Sequence, residues 1–279
     1  MKKGNIFSNV FVLVLFIGVS LFAQQAAPDR ATVPFSDPSK PGLVEVSVHN
    51  GSIKVTGYTG NQVVVEAKFR GTKIKEKEEQ RDEKAKGMQR IRMTGTGLTI
   101  EEKNNVMEIH TAAHDQPVDL TIQVPSLTSL KLATHEDGEI AVENVNGEIE
   151  ATNHEGDLTL KKVSGSVVAH SFDGDVLATL DKVDPDKPMS FSTFDGDIDV
   201  TFPATIKANL KMKTQEGEIY TDFEIEMKQG REKVEEDARE KGGKYRISFG
   251  DFMYGTISGG GPEYKFMTFE GNIYIRKGK

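Results

Sequence analysis

The stretch DGEIAVENVNGEIEATNHEGDLTLKKVSGSVVAHSFDGDV (137–176) carries a glycine at every ninth position. Polar residues flank each glycine, and a branched aliphatic residue follows two positions later, from Ile140 to Val176. A short fixed period is typical of repeat architectures, in which each unit buries its apolar face by stacking on a neighbour. The stretch therefore predicts a stacked repeat fold, and such folds mostly bind or scaffold.

The residues around the glycines double this period to about 18, because two kinds of corner alternate. One kind reads THEDGEI (134–140), TNHEGDL (152–158), HSFDGDV (170–176), STFDGDI (192–198), KTQEGEI (213–219) and MTFEGNI (267–273). The other reads VNGEI (145–149) and VSGSV (163–167). One solenoid turn is therefore expected to hold two short strands and two corners over about 18 to 22 residues. The predicted corner glycines are Gly138, Gly147, Gly156, Gly165, Gly174, Gly196, Gly217 and Gly271.

The rest of the chain is expected to extend this one domain, which we predict to be elongated and to cover residues 43–279. Apolar and polar residues alternate from Leu43 to Phe69 with turns between them, which predicts an N-terminal strand meander. Two segments rich in Lys and Glu, about 72–90 and 228–241, interrupt the strand pattern. We expect both to be solvated helical insertions.

The N-terminus predicts export. Met1-Lys2-Lys3 precedes a short apolar run from Val10 to Phe22, which is typical of a secretory signal peptide over residues 1–23. The run is too short to span a bilayer comfortably, so no transmembrane span is expected after cleavage; the alternative is an uncleaved membrane anchor. The Pro-rich segment 24–42 reads as a flexible linker. The expected location is the periplasm, the cell surface or the medium.

Composition excludes several functions. The chain has no cysteine, so disulfides, thiol catalysis and thiolate metal sites are absent. Its formal net charge is -8, which argues against binding nucleic acid by bulk electrostatics. It also has no tryptophan, which disfavours a stacking platform for sugars.

These repeats resemble a known family. The DGDI and EGEI units, the segment ISGGGPEY (257–264) and the closing TFEGNIYIRK (268–277) are similar to the bacterial β-strand-repeat domain of unknown function, also called the "putative adhesin" family. The resemblance implies an all-β, parallel β-solenoid-like (β-helix-like) fold in an exported or envelope-associated protein. Relatives are associated with adhesion or with envelope-stress regulation. The family has no established catalytic residues, so the resemblance assigns none here.

Carboxylates on both sides of the corner glycines are the strongest candidates for chemistry. They precede the glycine at Asp137, Glu155, Asp173, Asp195 and Glu216, and follow it at Glu139, Asp157, Asp175, Asp197 and Glu218. We expect them to be solvated turn residues. The alternative is a calcium site formed by Asp173, Asp175, Asp195 and Asp197, although each unit has one glycine where calcium-binding nonapeptides need GGxGxD. No cofactor is otherwise expected.

Histidines and phenylalanines recur near the same corners. His135, His154 and His170 lie three, two and four residues before their glycines, so they are not expected to share a column or to bind zinc. His110 and His114 have helical metal-pair spacing in a segment that reads as strand and loop. Phe172, Phe194 and Phe269 share one position, which predicts an aromatic ladder that caps the core.

These observations predict a non-enzymatic exported envelope or cell-surface β-repeat protein, an adhesin or interaction scaffold. Its expected partner is an envelope protein, a surface or a polymer. One alternative is an envelope-stress regulatory sensor. Another is a carbohydrate-active β-helix enzyme that uses Asp173, Asp175, Asp195 and Asp197 as acid and base, which would require environments that push their pKa values apart.

Overall fold

The computed structural model of the chain describes residues 28–70, 95–112, 117–228, 233–237, 245–249 and 252–279. Within these ranges the chain forms 23 strands and no helix. The strands build two large mixed sheets and one separate hairpin. No helix in this described part is long and apolar enough to cross a membrane. The predicted signal peptide (1–23) and the predicted insertion at 72–90 lie outside the described residues.

The first sheet, sheet 1, has ten strands, numbered here in chain order. From edge to edge they are β1 (Asp29–Pro34), β4 (Gln62–Phe69), β7 (Val118–Pro125), β3 (Ile53–Tyr58), β9 (Ile140–Glu143), β11 (Leu158–Gly165), β13 (Val176–Val183), β15 (Ile198–Phe202), β23 (Ile273–Lys277) and β17 (Ile219–Thr221).

The second sheet, sheet 2, has eleven strands. From edge to edge they are β18 (Glu226–Lys228), β21 (Met253–Ile257), β16 (Ala208–Lys213), β22 (Glu263–Met267), β14 (Met189–Ser192), β12 (Val167–Asp173), β10 (Ile149–Glu155), β8 (Ser129–Glu136), β2 (Leu43–Asn50), β6 (Val106–His110) and β5 (Thr99–Lys103). The separate hairpin joins β19 (Lys233–Asp237) to β20 (Tyr245–Phe249).

From β8 to β15 the chain alternates between the two sheets, one strand in each per repeat. Ile149 of β10 pairs with Val167 of β12, one repeat later, and Val168 of β12 pairs with Ser190 of β14 in the repeat after that. All pairs between these strands are parallel. Each strand turns alternate side chains inward, so the apolar faces of both sheets pack into one core.

The last repeat of the sequence does not lie at the edge of the two sheets. Strand β22 lies between β14 and β16, and β23 lies between β15 and β17. Ile273 therefore pairs with Ile198 on one side and with Ile219 on the other. The C-terminal strands are interior strands of both sheets.

Mixed pairing limits what the repeat pattern predicts. The all-β class is confirmed, whereas a uniform parallel solenoid is not, because β1, β4 and β7 pair antiparallel in sheet 1. The pairs β5–β6, β16–β21 and β18–β21 are antiparallel in sheet 2.

The predicted N-terminal meander is wrong, since β2 and β3 lie in different sheets and β7 separates β3 from β4. Gly51, between β2 and β3, forms a repeat corner beneath Gly138 and sends the chain across to the other sheet.

Two further expectations need correction. The segment 228–241 is predicted to be helical, but residues 233–237 form strand β19, because the alternating segment YRISF (245–249) supplies a partner strand.

The predicted linker 24–42 contains strand β1, which pairs with β4. The carboxylate of Asp29 accepts hydrogen bonds from the Thr96 amide (3.1 Å) and hydroxyl (2.6 Å), and Phe35 is buried in the core. The other domain boundaries stay predictions.

The core is aliphatic along most of its length and aromatic near its C-terminal part. Phe191, Phe202, Tyr264 and Phe266 are fully buried there, with ring centroids 5.3–6.2 Å apart. The Tyr264 hydroxyl has no hydrogen-bond partner among the described residues, and burial raises its pKa. This aromatic cluster fills the space between the sheets where the last repeat is inserted.

Close stacking of the corners explains the glycine period. An added Cβ at Gly174 would lie 2.4 Å from the carbonyl oxygen of Gly156, and one at Gly196 would lie 2.5 Å from that of Gly174. Real Cβ atoms essentially never approach so closely. The predicted corner glycines fall into two columns: Gly138, Gly156, Gly174, Gly196, Gly271 and Gly217 follow one another in the first, and Gly147 and Gly165 lie in the second.

We expect Gly174→Ala to lower the free energy of unfolding by about 3 kcal/mol or more, because the backbone φ of +141° and the Gly156 carbonyl both reject a Cβ. Gly95→Ala is the matched control, since an added Cβ there meets no atom within 4 Å. It should change the free energy by less than about 1 kcal/mol. Chemical denaturation of the two variants measures both values, and equal losses would contradict the steric explanation.

Candidate functional site

The first glycine column marks one long corner where the chain crosses from sheet 2 to sheet 1. We call it the glycine corner, formed around Gly51, Gly138, Gly156, Gly174, Gly196, Gly271 and Gly217. Because the repeats stack in register, equivalent side chains form columns along it. The columns just before and just after the glycines contain the candidate site residues.

The residues after the glycines form an inner polar column with a structural role. The Asp157 carboxylate accepts a hydrogen bond from the Asp175 amide (2.9 Å), and the Asp175 carboxylate accepts one from the Asp197 amide (2.8 Å). The Asp197 carboxylate in turn accepts one from the Asn272 amide (2.7 Å), whose side-chain oxygen accepts one from the Glu218 amide (3.0 Å). Each side chain therefore satisfies a backbone N–H of the next repeat.

Polar side chains three residues before most of the glycines bond the glycine carbonyls. Thr193 donates to the Gly174 carbonyl (2.9 Å), and Asn153 donates to the Gly138 carbonyl (2.7 Å). The equivalent bonds come from Thr134, Ser171, Thr268 and Thr214. The sequence reasoning missed this column, although Thr, Ser or Asn lies three residues before the glycine in five of the six units and Thr134 lies four residues before Gly138. These bonds satisfy corner carbonyls that the sheets leave free.

The residues before the glycines form an outer carboxylate column that faces solvent. Asp173, Asp195, Glu270 and Glu216 follow one another along it through parallel backbone bridges. All four side chains are exposed, and none forms a salt bridge with another described residue. The glycine corner thus separates carboxylates that accept hydrogen bonds from the backbone from carboxylates that face solvent.

A continuous column of rings lies beside the outer carboxylate column. Its members are His49, His135, His154, Phe172, Phe194 and Phe269. Successive centroids lie 5.6, 4.6, 5.0, 5.1 and 4.9 Å apart. From His135 onward the rings are stacked, with interplanar angles of 17° or less. We call this the ring column.

The ring column presents ring edges to solvent. Each ring covers the face of its neighbour, while Phe172 and Phe194 remain 45% and 43% exposed. The predicted aromatic ladder is therefore present, but it lies outside the core rather than capping it. A sugar stacks on a ring face, so the covered faces disfavour a sugar-stacking groove along these rings.

The histidine register differs from the expectation. His135 and His154 share the ring column, with centroids 4.6 Å apart. The corner 134–138 holds one extra residue, which Asp137 absorbs at a positive φ of 47°, so Thr134 pairs with Asn153 and the rings align. His170 lies outside the column, with its Nδ1 3.0 Å from the Ser192 hydroxyl.

The remaining histidines and carboxylates considered as metal ligands do not form a common site among the described residues. His110 lies 3.8 Å from Glu108, and His114 is outside the described residues. Of the four carboxylates considered for calcium, Asp175 and Asp197 accept backbone hydrogen bonds, whereas Asp173 and Asp195 point into solvent. Over the described ranges, no group of three or more His, Asp or Glu side chains is placed to hold a metal ion.

An arginine that sequence reasoning missed closes one end of the glycine corner. Arg70 donates from Nε to Asp119 Oδ1 (3.0 Å) and from Nη2 to Asp119 Oδ1 (2.6 Å) and to the Ser52 hydroxyl (2.7 Å). It also donates to the Asp137 carbonyl. The bond to Asp119 raises the pKa of Arg70 above its usual value. An open groove of about 570 Å³ runs from Arg70 past Glu155 to Gly174. Most of the side chains that line it are acidic.

The inner polar column yields a stability prediction. Asp175→Ala should lower the free energy of unfolding by about 1–2 kcal/mol, because the Asp197 amide loses its acceptor. Asp175→Asn should cost less than about 0.5 kcal/mol, since Asn272 fills the same position in its own repeat and bonds the same way. Asp173→Asn, on the exposed column, is the second control. A loss in Asp175→Asn as large as in Asp175→Ala would show that charge, rather than the hydrogen bond, matters there.

The geometry of the carboxylates also predicts the response to calcium. We expect about 1 mM calcium, or chelator, to shift the melting temperature by less than about 1 °C, because two of the four candidate carboxylates are committed to backbone amides. A site with a Kd of about 10 μM would add roughly 2.7 kcal/mol and move the melting temperature by several degrees. Such a shift in a thermal melt, lost in Asp195→Asn, would contradict this expectation.

Comparison with known proteins places this architecture in a family. The family described as Toastrack DUF4097 matches residues 38–249. Among solved structures, a "putative cell adhesion protein" from Clostridium sporogenes is 13% identical, with 90% of this chain and 100% of that chain covered and a TM-score of 0.44. A "putative adhesin" from Bacteroides fragilis is 10% identical (90% and 96% covered, TM-score 0.26). A "putative lipid binding protein" from Parabacteroides distasonis is 11% identical (91% and 97% covered, TM-score 0.26).

No curated protein matches the chain. The family match covers most of the sequence and ends before the closing repeat at 267–273. It confirms the resemblance seen in the DGDI and EGEI units. The chain belongs to the Toastrack DUF4097 family.

Proposed function

We propose that this protein is a non-enzymatic, exported interaction protein of the adhesin type, which binds a partner at the cell surface through its glycine corner. The observation that carries the proposal is the ring column, which keeps Phe172 and Phe194 more than two-fifths exposed. Large apolar side chains that are exposed and contiguous mark interaction sites more often than scattered ones do. Export rests on the predicted signal peptide at residues 1–23.

Rigid presentation supports binding at this corner. The parallel strands from β8 to β15 act in this proposal as a short solenoid-like scaffold that fixes both columns in register. Phe172 and Phe194 are each held between two other rings, so little side-chain entropy remains to be lost when a partner binds. A preorganised surface of this kind suits a binding role.

The alternatives have weaker support. An enzyme of the glycosidase type needs one carboxylate pair set apart from the others, whereas Asp173 with Asp175 and Asp195 with Asp197 are equivalent pairs in successive repeats. The repetition of these groups favours a structural role. An envelope-stress sensor would bind its partner through the same glycine corner, so the identity of the partner distinguishes sensing from adhesion.

Replacement of the exposed phenylalanines should weaken the retention of the protein on the cell surface. We expect Phe172→Ser with Phe194→Ser to reduce retention of the tagged protein on intact cells by about tenfold or more, because the apolar contact is lost. Leu177→Ser is the matched control, since Leu177 is 39% exposed on the outer face of sheet 1. Quantitative blotting of washed cells, followed by mass spectrometry of cross-linked material, gives retention and partner together.

Three outcomes would contradict the proposed function. Retention unchanged in the ring variant would remove the glycine corner as the binding surface. Fractionation of cells that express the full chain would contradict export if the protein remained in the cytosol. Cleavage of an envelope glycan by the purified protein, lost in Asp195→Ala with Asp197→Ala, would contradict the non-enzymatic role.

A further inference from the structure

We propose that the occupant of the glycine corner is a basic amphipathic helix of a partner protein. The helix lies along the corner, with its apolar stripe on the three phenylalanines of the ring column, Phe172, Phe194 and Phe269, and a row of Lys or Arg on the outer carboxylate column. This inference rests on the proposed function, because it specifies the chemistry of the partner at the same surface. Three properties of the two columns lead to it.

The first property is charge. Asp173, Asp195 and Glu270 succeed one another on adjacent strands and have no cationic partner among the described residues. Like charges on neighbouring strands, at the strand spacing of about 4.8 Å, repel one another. A row of bound cations would relieve this repulsion at every step. The outer carboxylate column therefore favours a partner with several positive charges in a line.

The second property is the arrangement of the apolar groups. Stacking leaves ring edges outward at Phe172, Phe194 and Phe269, and a cation is attracted to a ring face rather than to its edge. Cations of the partner are therefore directed to the carboxylates, whereas aliphatic side chains pack on the ring edges. The corner thus displays two parallel stripes of different chemistry. A complementary ligand needs an apolar stripe beside a basic one, which is an amphipathic pattern.

The third property is the repeat distance. The phenylalanine rings lie 5.1 and 4.9 Å apart along the column. Side chains on one face of an α-helix recur about once per 5.4 Å turn. Side chains on one face of an extended strand recur at roughly 6.6 Å. The difference from the ring spacing is therefore more than three times larger for a strand than for a helix. The spacing therefore favours a helix over an extended peptide.

Binding of defined peptides to the full chain tests this inference. The probe is a fluorescent helical peptide with adjacent Leu and Lys stripes, long enough to cover the three phenylalanines of the ring column, and anisotropy measures its Kd. The first control has the same composition in an order that destroys the stripes, and the second has Glu in place of Lys. We expect the striped basic peptide to bind at least about tenfold more tightly than either control, with an affinity that falls as salt is raised.

Variants of both columns locate the site. Asp173→Asn, Asp195→Asn and Glu270→Gln together should weaken peptide binding about tenfold, as should Phe172→Ser with Phe194→Ser. The matched charge control neutralises three exposed carboxylates away from the glycine corner, Asp181→Asn, Asp186→Asn and Glu263→Gln, and should change the Kd by less than about twofold. Denaturation curves verify that each variant is folded.

The outcomes separate this inference from the proposed function. Equal binding of the striped and reordered peptides would overturn the helix, because bulk charge alone would then explain the affinity. A soluble oligosaccharide that binds the chain and is lost in the ring variant would overturn it in favour of a glycan. Failure of every peptide, while the ring variant still loses retention on cells, would overturn the helix and leave the proposed function standing.

Discussion

The contact on which this structure depends is the stacking of one glycine corner on the next. The peptide of Gly174 lies so close to that of Gly156 that no Cβ fits between them. This approach places the strands on either side in parallel register and fixes the spacing of every column along the corner. The inner polar column and the bonds to the glycine carbonyls follow from it, because the corner backbone would otherwise leave buried polar groups unsatisfied.

One corner consequently serves two purposes. The side chain after the glycine points towards the neighbouring repeat, where the Asp175 carboxylate accepts a hydrogen bond from the Asp197 amide. The position before it faces water, where Asp173 and Asp195 are exposed side by side. Carboxylates of the same type, two residues apart, are thus structural in one column and available in the other. This division explains why acidic residues recur on both sides of the corner glycines.

Local periodicity predicted much of the fold, and long-range pairing did not follow from it. The glycine corners and the one-sided burial of strands such as Ile149–Glu155 could be read from residue spacing, because both arise within a single repeat. The register of His135 with His154 could not, since one extra residue is absorbed by a positive φ at Asp137. Nor did charge density reveal that residues 233–237 form a strand, because that outcome depends on pairing with the alternating segment 245–249 that follows.

Insertion of the C-terminal repeat has the largest consequence for the proposed binding surface. Phe269 stacks on Phe194, although the two lie far apart in the sequence, because β22 and β23 enter the sheets beside β14 and β15. The segment between these repeats includes β16 and β17, which occupy the next position outward. Such non-local pairing bears a large loop-closure entropy, so we expect these strands to dock late in folding. The ring column and the outer carboxylate column therefore reach full length only when the final residues of the chain are in place, which couples the proposed binding surface to the completion of both sheets.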